Sequence, residues 1–447
     1  MATSQPARHV FSSTLALWLA LVGAGAMLYY HQGLFMPRVV AVRASLGLGA
    51  GYSFGNDFYQ VWLSSRELLR RRQNPYSPEM TREIQTGLFG RPLDPRRPGD
   101  PVDRRVFPYP AYVDMLFWPT ALFPFESVRV AVLFALIALE IAGVMMWLRA
   151  LEWRSDWKWA AAIIALTLTS YSSLEALFAG QLGILVFALL AASVLALQRQ
   201  RFLLAGILIA LSTIKPQVTG LAICYLLLWT LSEWSVRKRF ALGFLSTMCL
   251  LVGTSLLVLP DWIQSWVHTV LAYRHYTRPP LVTEILTSQL GPALSGPATV
   301  ILSAGSIVVA AVVAWRNRAA QASSARWWLT VTLLLALTMI VALPGQAVYD
   351  HLSLLPGILV VVRYRARFAA SGNVARILLA VGALVLFWPW MAALLLIVAR
   401  AVGGARVFNS AIVFSLPLRM AGSLPFAILA LLAWTLRINA VPKQESA

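Results

Sequence analysis

Asp57 has the clearest claim on chemistry in this sequence. It stands in Asn56-Asp57-Phe58-Tyr59-Gln60, just beyond the first long apolar run. A carboxylate at a membrane–water boundary can take a proton from an attacking hydroxyl, as a general base. It also suits a plainer task, since with Asn56 as N-cap an acid in the first helical turn complements the helix dipole. Lys215 lies between two apolar runs and precedes Pro216. A lone lysine at a helix end can snorkel, yet the proline opens the helix, and an ionisable residue at membrane depth is a functional candidate by default. Tyr349-Asp350-His351 begins a short apolar run. His351 can bind a phosphate oxygen or carry a proton with Asp350 orienting it, or the three can simply start a capped helix. Gln181, after Ala179-Gly180, can bond a sugar hydroxyl or close a turn. Arg66, Arg70, Arg71 and Arg72 can clamp a lipid-linked phosphate or touch bulk anionic headgroups.

These residues must be positioned by elements soluble in hydrocarbon. Of 447 residues 59% are hydrophobic and 12% charged, against about 25% charged in a soluble domain. The mean hydropathy is +0.70. An all-α polytopic integral membrane protein follows, as one transmembrane domain over residues 1–447. The net charge of +19 falls in short Arg clusters between apolar runs. It therefore marks topology and anionic lipid, and no nucleic-acid partner is expected. Cys224 and Cys249 lie in apolar runs and read as packing residues.

A first span over about 10–30 leads into an external loop, 31–126. Within it Asp57–Arg72 has helical period, with Phe58, Val61, Trp62, Ser65, Leu68 and Leu69 on one face and Arg66, Glu67, Arg70 and Arg71 towards the other. Such a helix suits the interface plane. The Pro-, Asp- and Arg-rich stretch Arg91–Arg105 is expected to be irregular. The apolar run ending at Phe123-Pro124 covers about 14 residues, ~21 Å as a helix, short for a ~30 Å hydrocarbon core, which fits a re-entrant or interfacial helix or a short span. Basic loops at Arg149/Arg154/Lys158, Arg199/Arg201, Arg237–Arg239, Arg316/Arg318/Arg326 and Arg363/Arg365/Arg367 alternate with loops nearly free of charge. With the basic loops inside, about 12 transmembrane helices result, both termini inside. Asp57, Gln181, Lys215, a second external loop over 260–296 and Tyr349-Asp350-His351 then share the outer face. That second loop interleaves Trp262, Trp266, His268, Tyr273 and Arg274 in a pattern suited to an external interfacial helix. No phosphate-cradling glycine loop, nucleophile elbow, dinucleotide fingerprint or metal-ligand spacing occurs in the sequence.

Together these stretches resemble the family 87 glycosyltransferases of the GT-C superfamily. The resemblance is carried in order by Asp57-Phe58-Tyr59-Gln60, Asn74-Pro75-Tyr76, Phe107-Pro108-Tyr109-Pro110, Gly180-Gln181, Ala205-Gly206-Ile207 up to Lys215-Pro216-Gln217, and Tyr349-Asp350-His351 to Pro356. It implies a GT-C-like fold in the bacterial inner membrane. The implied reaction is inverting, metal-independent transfer of a sugar, commonly mannose, from a polyprenyl-phosphate donor to a hydroxyl of a glycolipid or glycan at the external face. Asp57 would be the base. Lys215, His351, Asp350, Tyr349, Gln181, Arg66, Arg70, Tyr109 and Arg274 would contact the substrates, and no cofactor is implied. The chain departs from the family pattern at Ala111, at Thr287-Ser288-Gln289 and at Pro344-Gly345-Gln346, which leaves the acceptor unread. A flippase of lipid-linked saccharides is the rival reading. It would need polar residues through the middle of several spans, whereas here they gather at one face; the sequence leaves the oligomeric state open.

Overall fold

A computed structural model describes residues 12–48, 54–153, 156–277, 282–342, 347–404 and 410–437. Among them every regular element is helical. The first span outruns the expected 10–30. Helix α1 (Ser13–Leu28) passes through a π-helical stretch, Tyr29–Phe35, into α2 (Met36–Ser45), which makes one apolar helix of 33 residues. Pro37 accounts for the wide turn: it cannot donate to the Gly33 carbonyl, and Met36 N–H reaches back five residues to His31.

The external segment follows, with α3 (Asn56–Arg71), α4 (Pro78–Phe89) and the short α5 (Tyr112–Phe117), which runs on as a 3₁₀ turn over Trp118–Leu122. At eleven residues the last piece is far too short to cross. Helix α3 differs from expectation, because its first three turns are buried nearly all round while Leu69 is exposed. Trp62 donates to the Phe123 carbonyl at 3.1 Å and Tyr59 meets Phe125 edge-on at 4.9 Å, so the segment's own elements cover α3 where lipid was expected. On the opposite side the buried Asp114 of α5 accepts from Ser64 at 2.5 Å and from Ser65 at 3.2 Å.

The bundle comprises α6 (Phe125–Ala150), α7 (Trp157–Leu168), α8 (Tyr171–Ala179), α9 (Gly183–Gln198), α10 (Phe202–Leu211), α11 (Pro216–Ser232) and α12 (Trp234–Val258). After α13 (Trp262–Thr277) and α14 (Val282–Thr287) come α15 (Pro292–Arg316), α16 (Ala325–Val341), α17 (Leu355–Ala370), α18 (Asn373–Gly403), α19 (Ala411–Phe414) and α20 (Leu424–Arg437). Among the described residues six helices are long and apolar enough to cross a membrane, or seven if the bent pair α7–α8 is one broken span. Helices α9, α10, α11 and α16 are apolar but shorter. The protein is thus an all-helical, multi-pass membrane protein.

The bundle has two chemically different ends. Basic connections meet at one. Gln198 donates to the Ala150 carbonyl at 2.7 Å, Arg363 to that of Leu151, Trp229 to that of Ala320 at 2.7 Å, and Ser232 to that of Arg318 at 2.6 Å. Helices α9 and α11 run from this end to the other, where the charge-poor turns at Gly180-Gln181 and Lys215-Pro216 lie.

Candidate active site

Asp57 sits in the first turn of α3, but the N-cap is Gly55 rather than Asn56. Gly55 takes φ +76°, a conformation glycine adopts without steric cost, and its N–H donates to the Phe178 carbonyl at 2.8 Å. Gly180 caps α8 at φ +72°, and a Cβ there would press on Phe58 Cβ at 2.9 Å. These two glycines let the start of α3 and the end of α8 touch, which brings Gln181 against Asp57.

From this contact a ladder of polar groups crosses the site. Asp57 Oδ1 accepts from Arg105 Nη1 at 2.5 Å, and Asp57 Oδ2 accepts from the Gln181 amide. Gln181 Oε1 accepts from Lys215 Nζ at 2.8 Å, and the same ammonium donates to Asp350 Oδ1 at 2.6 Å. The Tyr349 ring lies under Lys215 with 4.5 Å between Nζ and the ring centre. Sequence dictates where Lys215 stands. Helix α10 tightens into a 3₁₀ turn at Ser212–Ile214, the residue before a proline is steered out of the α region, and Pro216 opens α11. Tyr112 secures this break by donating to the Thr213 carbonyl at 2.8 Å. Gly183, first residue of α9, passes under the far end of the ladder, where a Cβ would lie 2.5 Å from Asp350 Oδ1.

Arg105 was not among the expected site residues, and it comes from the stretch expected to be irregular. That stretch has no helix, yet it is braced. Gln85 of α4 donates to the Arg104 carbonyl at 2.8 Å and accepts from Leu93 N–H at 2.9 Å, and Arg91 pairs with Asp100 at 2.5 Å. Arg105 itself adopts φ +53°, with its N–H donating to Asp103 Oδ1 at 2.9 Å. Burial would lower its pKa, but Asp103 and Asp57 more than offset this and hold it raised. The one signal in the sequence was the alternation of Asp94, Asp100 and Asp103 with arginines.

Of the other expected residues, Tyr109 is buried beside the ladder within electrostatic range of Asp57, Asp350 and Arg105. Burial first, then those carboxylates, pushes its phenol up, so it stays a neutral O–H donor. His351 is buried but turns to the Ala421 backbone, and Asp350 pairs with Lys215 where it was expected to orient His351. Arg66 and Arg70 follow Asp57 by nine and thirteen residues, ~14 and ~20 Å along α3. Arg66 lies over the Trp62 ring at 5.1 Å, and Arg70 is exposed in the last turn. Neither joins the ladder. The Arg274 side chain, on α13, lies outside the described residues. That helix is tied to the site through Trp266, which donates to the Pro108 carbonyl at 2.9 Å.

The ladder unites two carboxylates, two cations and an amide from five separate segments, with a carboxylate in reach of solvent at one end. Such an arrangement can accept a proton and hold an anion. No curated protein and no solved structure matches this chain. A family model, Glycosyltransferase family 87, matches residues 107–344, more than half of the sequence. The match contains Tyr109, Gln181 and Lys215, and the ladder joins Gln181 and Lys215 to Asp57, Arg105 and Asp350 outside it. The chain belongs to glycosyltransferase family 87, and is a membrane glycosyltransferase.

Proposed function

We propose that the protein transfers a sugar, mannose in the first instance, from a polyprenyl-phosphate donor to a hydroxyl of a glycolipid or glycan, with inversion and without a metal. The observation that carries this reading is the engagement of Asp57 by Arg105 and Gln181, one shared element from a cation and one from a hydrogen-bonding amide. The acceptor oxygen bonds to the anomeric carbon on the face opposite the phosphate. The carbon–oxygen bond to the phosphate breaks, and its electron pair leaves on the polyprenyl phosphate. The hydroxyl proton passes to Asp57. The leaving phosphate gains one negative charge as it departs, which Arg105 and Lys215 are placed to offset. Gln181, Tyr109 and Tyr349 supply donors and a ring face for the sugar hydroxyls, while Asp350 holds Lys215.

The two ends of the bundle support an orientation. The basic end is read as cytoplasmic and the ladder as facing the periplasm or its equivalent. Helix α9, 16 residues or ~24 Å, separates the two ends, less than the ~30 Å hydrocarbon core. The ladder therefore sits recessed below the outer headgroups, within reach of a phosphate anchored by a lipid tail. The shorter apolar helices are read as further crossings in a GT-C arrangement of about twelve spans.

The test is transfer of label from polyprenyl-phosphate-[³H]mannose to endogenous acceptor lipids, in membranes holding equal amounts of wild type or Asp57→Asn, with EDTA present. Removing a general base costs about 10²–10⁴-fold. EDTA-resistant incorporation that drops by that factor in Asp57→Asn supports the reading. Equal incorporation by both proteins removes Asp57 from the chemistry.

A further inference from the structure

Both oxygens of the Asp57 carboxylate are engaged, one by Arg105 and the other by Gln181. A base so engaged has to give up a partner before it can take a proton. The ladder carries no surplus positive charge, since Arg105 faces both Asp57 and Asp103, its Nε 3.4 Å from Asp103 Oδ2, and Lys215 faces Asp350. An incoming phosphate finds no surplus cation there and must compete for one.

Burial decides which cation yields. The Lys215 side chain is 5% exposed, held between Asp350, Gln181 and the Tyr349 ring, whereas Arg105 is 24% exposed at the end of a loop. Arg105 is also in the left-handed region at φ +53°, a conformation that strains a non-glycine residue and tends to persist at functional sites. A second guanidinium is close by. Arg43, in the last turn of α2, lies within electrostatic range of Arg105 and against the Phe89 ring at 5.2 Å. The loop that carries Arg105 packs on the end of α2, where a Cβ on Gly99 would touch Leu46 at 3.0 Å. A phosphate drawn to Arg105 enters the field of two positive charges.

We propose that Arg105 is a donor-phosphate ligand which Asp57 occupies in the unliganded protein: the prenyl phosphate takes Arg105 from Asp57, and the base is released only once donor is bound. This rests on the reading of Asp57 as the base of a prenyl-phosphate-dependent transferase. It makes activation of the acceptor hydroxyl wait for the donor.

The experiment is equilibrium binding to the full-length protein in neutral phosphatidylcholine nanodiscs, with farnesyl phosphate as probe and farnesol as its uncharged control. Hydrogen bonds to charged groups carry roughly tenfold or more in affinity. Wild type is expected to prefer farnesyl phosphate over farnesol by about that factor, and Arg105→Gln to lose the preference while still binding farnesol. Asp57→Asn removes the closer of the two carboxylates that compete for Arg105, leaving Asp103, so farnesyl phosphate binds about tenfold more tightly, and in Asp57→Asn/Arg105→Gln that gain disappears. The Asp57→Asn arm stands even where Arg105→Gln folds poorly. An affinity indifferent to Asp57→Asn, or a gain that survives in the double variant, overturns the proposal. So does full displacement of the probe by phosphatidylglycerol nanodisc lipid, which would make the site one for bulk anionic headgroups. Mannose transfer on the same preparations separates the two readings: transfer lost in Asp57→Asn, beside farnesyl phosphate affinities that ignore both residues, sinks the exchange alone.

Discussion

Removing the Lys215 charge should be among the most damaging single changes in this protein, and removing Asp350 with it should largely undo the damage. Lys215 and Asp350 are 5% and 1% exposed and 2.6 Å apart. Asp350 Oδ2 already has no hydrogen-bond partner. In Lys215→Met the carboxylate keeps its burial and loses its counter-charge, and Gln181 Oε1 loses its donor. Breaking one side of a buried ion pair costs about 3–5 kcal/mol, whereas replacing both sides with apolar groups of similar size is often near neutral. The double variant Lys215→Met/Asp350→Leu should therefore be more stable than Lys215→Met by about 2–4 kcal/mol. Asp350→Leu alone, with the ammonium left unpaired, should resemble Lys215→Met. The four proteins are compared by SDS-induced unfolding in mixed micelles, followed through the 17 tryptophans. If the two single losses add to within about 0.5 kcal/mol of the double, the contact carries no coupling and the account of the ladder as one electrostatic unit is wrong.

Burial pushes Asp114 up to about 8 from an ordinary 3.8, against the opposing hydrogen bonds from Ser64 and Ser65. The folded protein then keeps a proton that the unfolded chain releases, so stability falls as pH rises from about 4 to about 8, by at most about 1.4 kcal/mol per pH unit; unfolding titrations of Asp114→Asn should lack this component, and an unchanged slope would remove Asp114 as its source. Gly183→Ala places a Cβ 2.5 Å from Asp350 Oδ1 and 3.7 Å from Lys215 Nζ. It should cost about 1–3 kcal/mol of stability and lower kcat/KM for sugar transfer by about tenfold or more, while Gly220→Ala, where a Cβ meets nothing within 4 Å, should be neutral in both measurements.

Residues that interrupt an otherwise apolar pattern could be found from sequence. Lys215 and Pro216 break two hydrocarbon runs, Gly180-Gln181 closes a turn between two more, and Asp57 starts a helix. Those interruptions are where the structure brings side chains together. Arg105 was hidden for the opposite reason, being one of many arginines in a stretch without period, where long-range bracing from Gln85 gives the order. The reach of α3 was misjudged because alternating faces reveal burial on one side only. The second cover, Asp114 on Ser64 and Ser65, is a contact between polar residues some fifty positions apart. His351 shows the limit of reading neighbours together. On the 3₁₀ turn Val348–Leu354, adjacent side chains diverge, so Asp350 reaches the ladder while His351 turns to Ala421.

The ladder also sets a timetable for biogenesis. Its members are synthesised in the order Asp57, Arg105, Gln181, Lys215 and Asp350, and the last is separated from Lys215 by 135 residues. At about 5–20 residues per second of synthesis, Lys215 waits roughly 7–27 s for its counter-ion. During that interval a lone ammonium lies in a nascent bundle, an arrangement membranes tolerate poorly. Gln181 and Asp57 are in place by then and can shelter it, so the early half of the ladder serves as a scaffold for the late half.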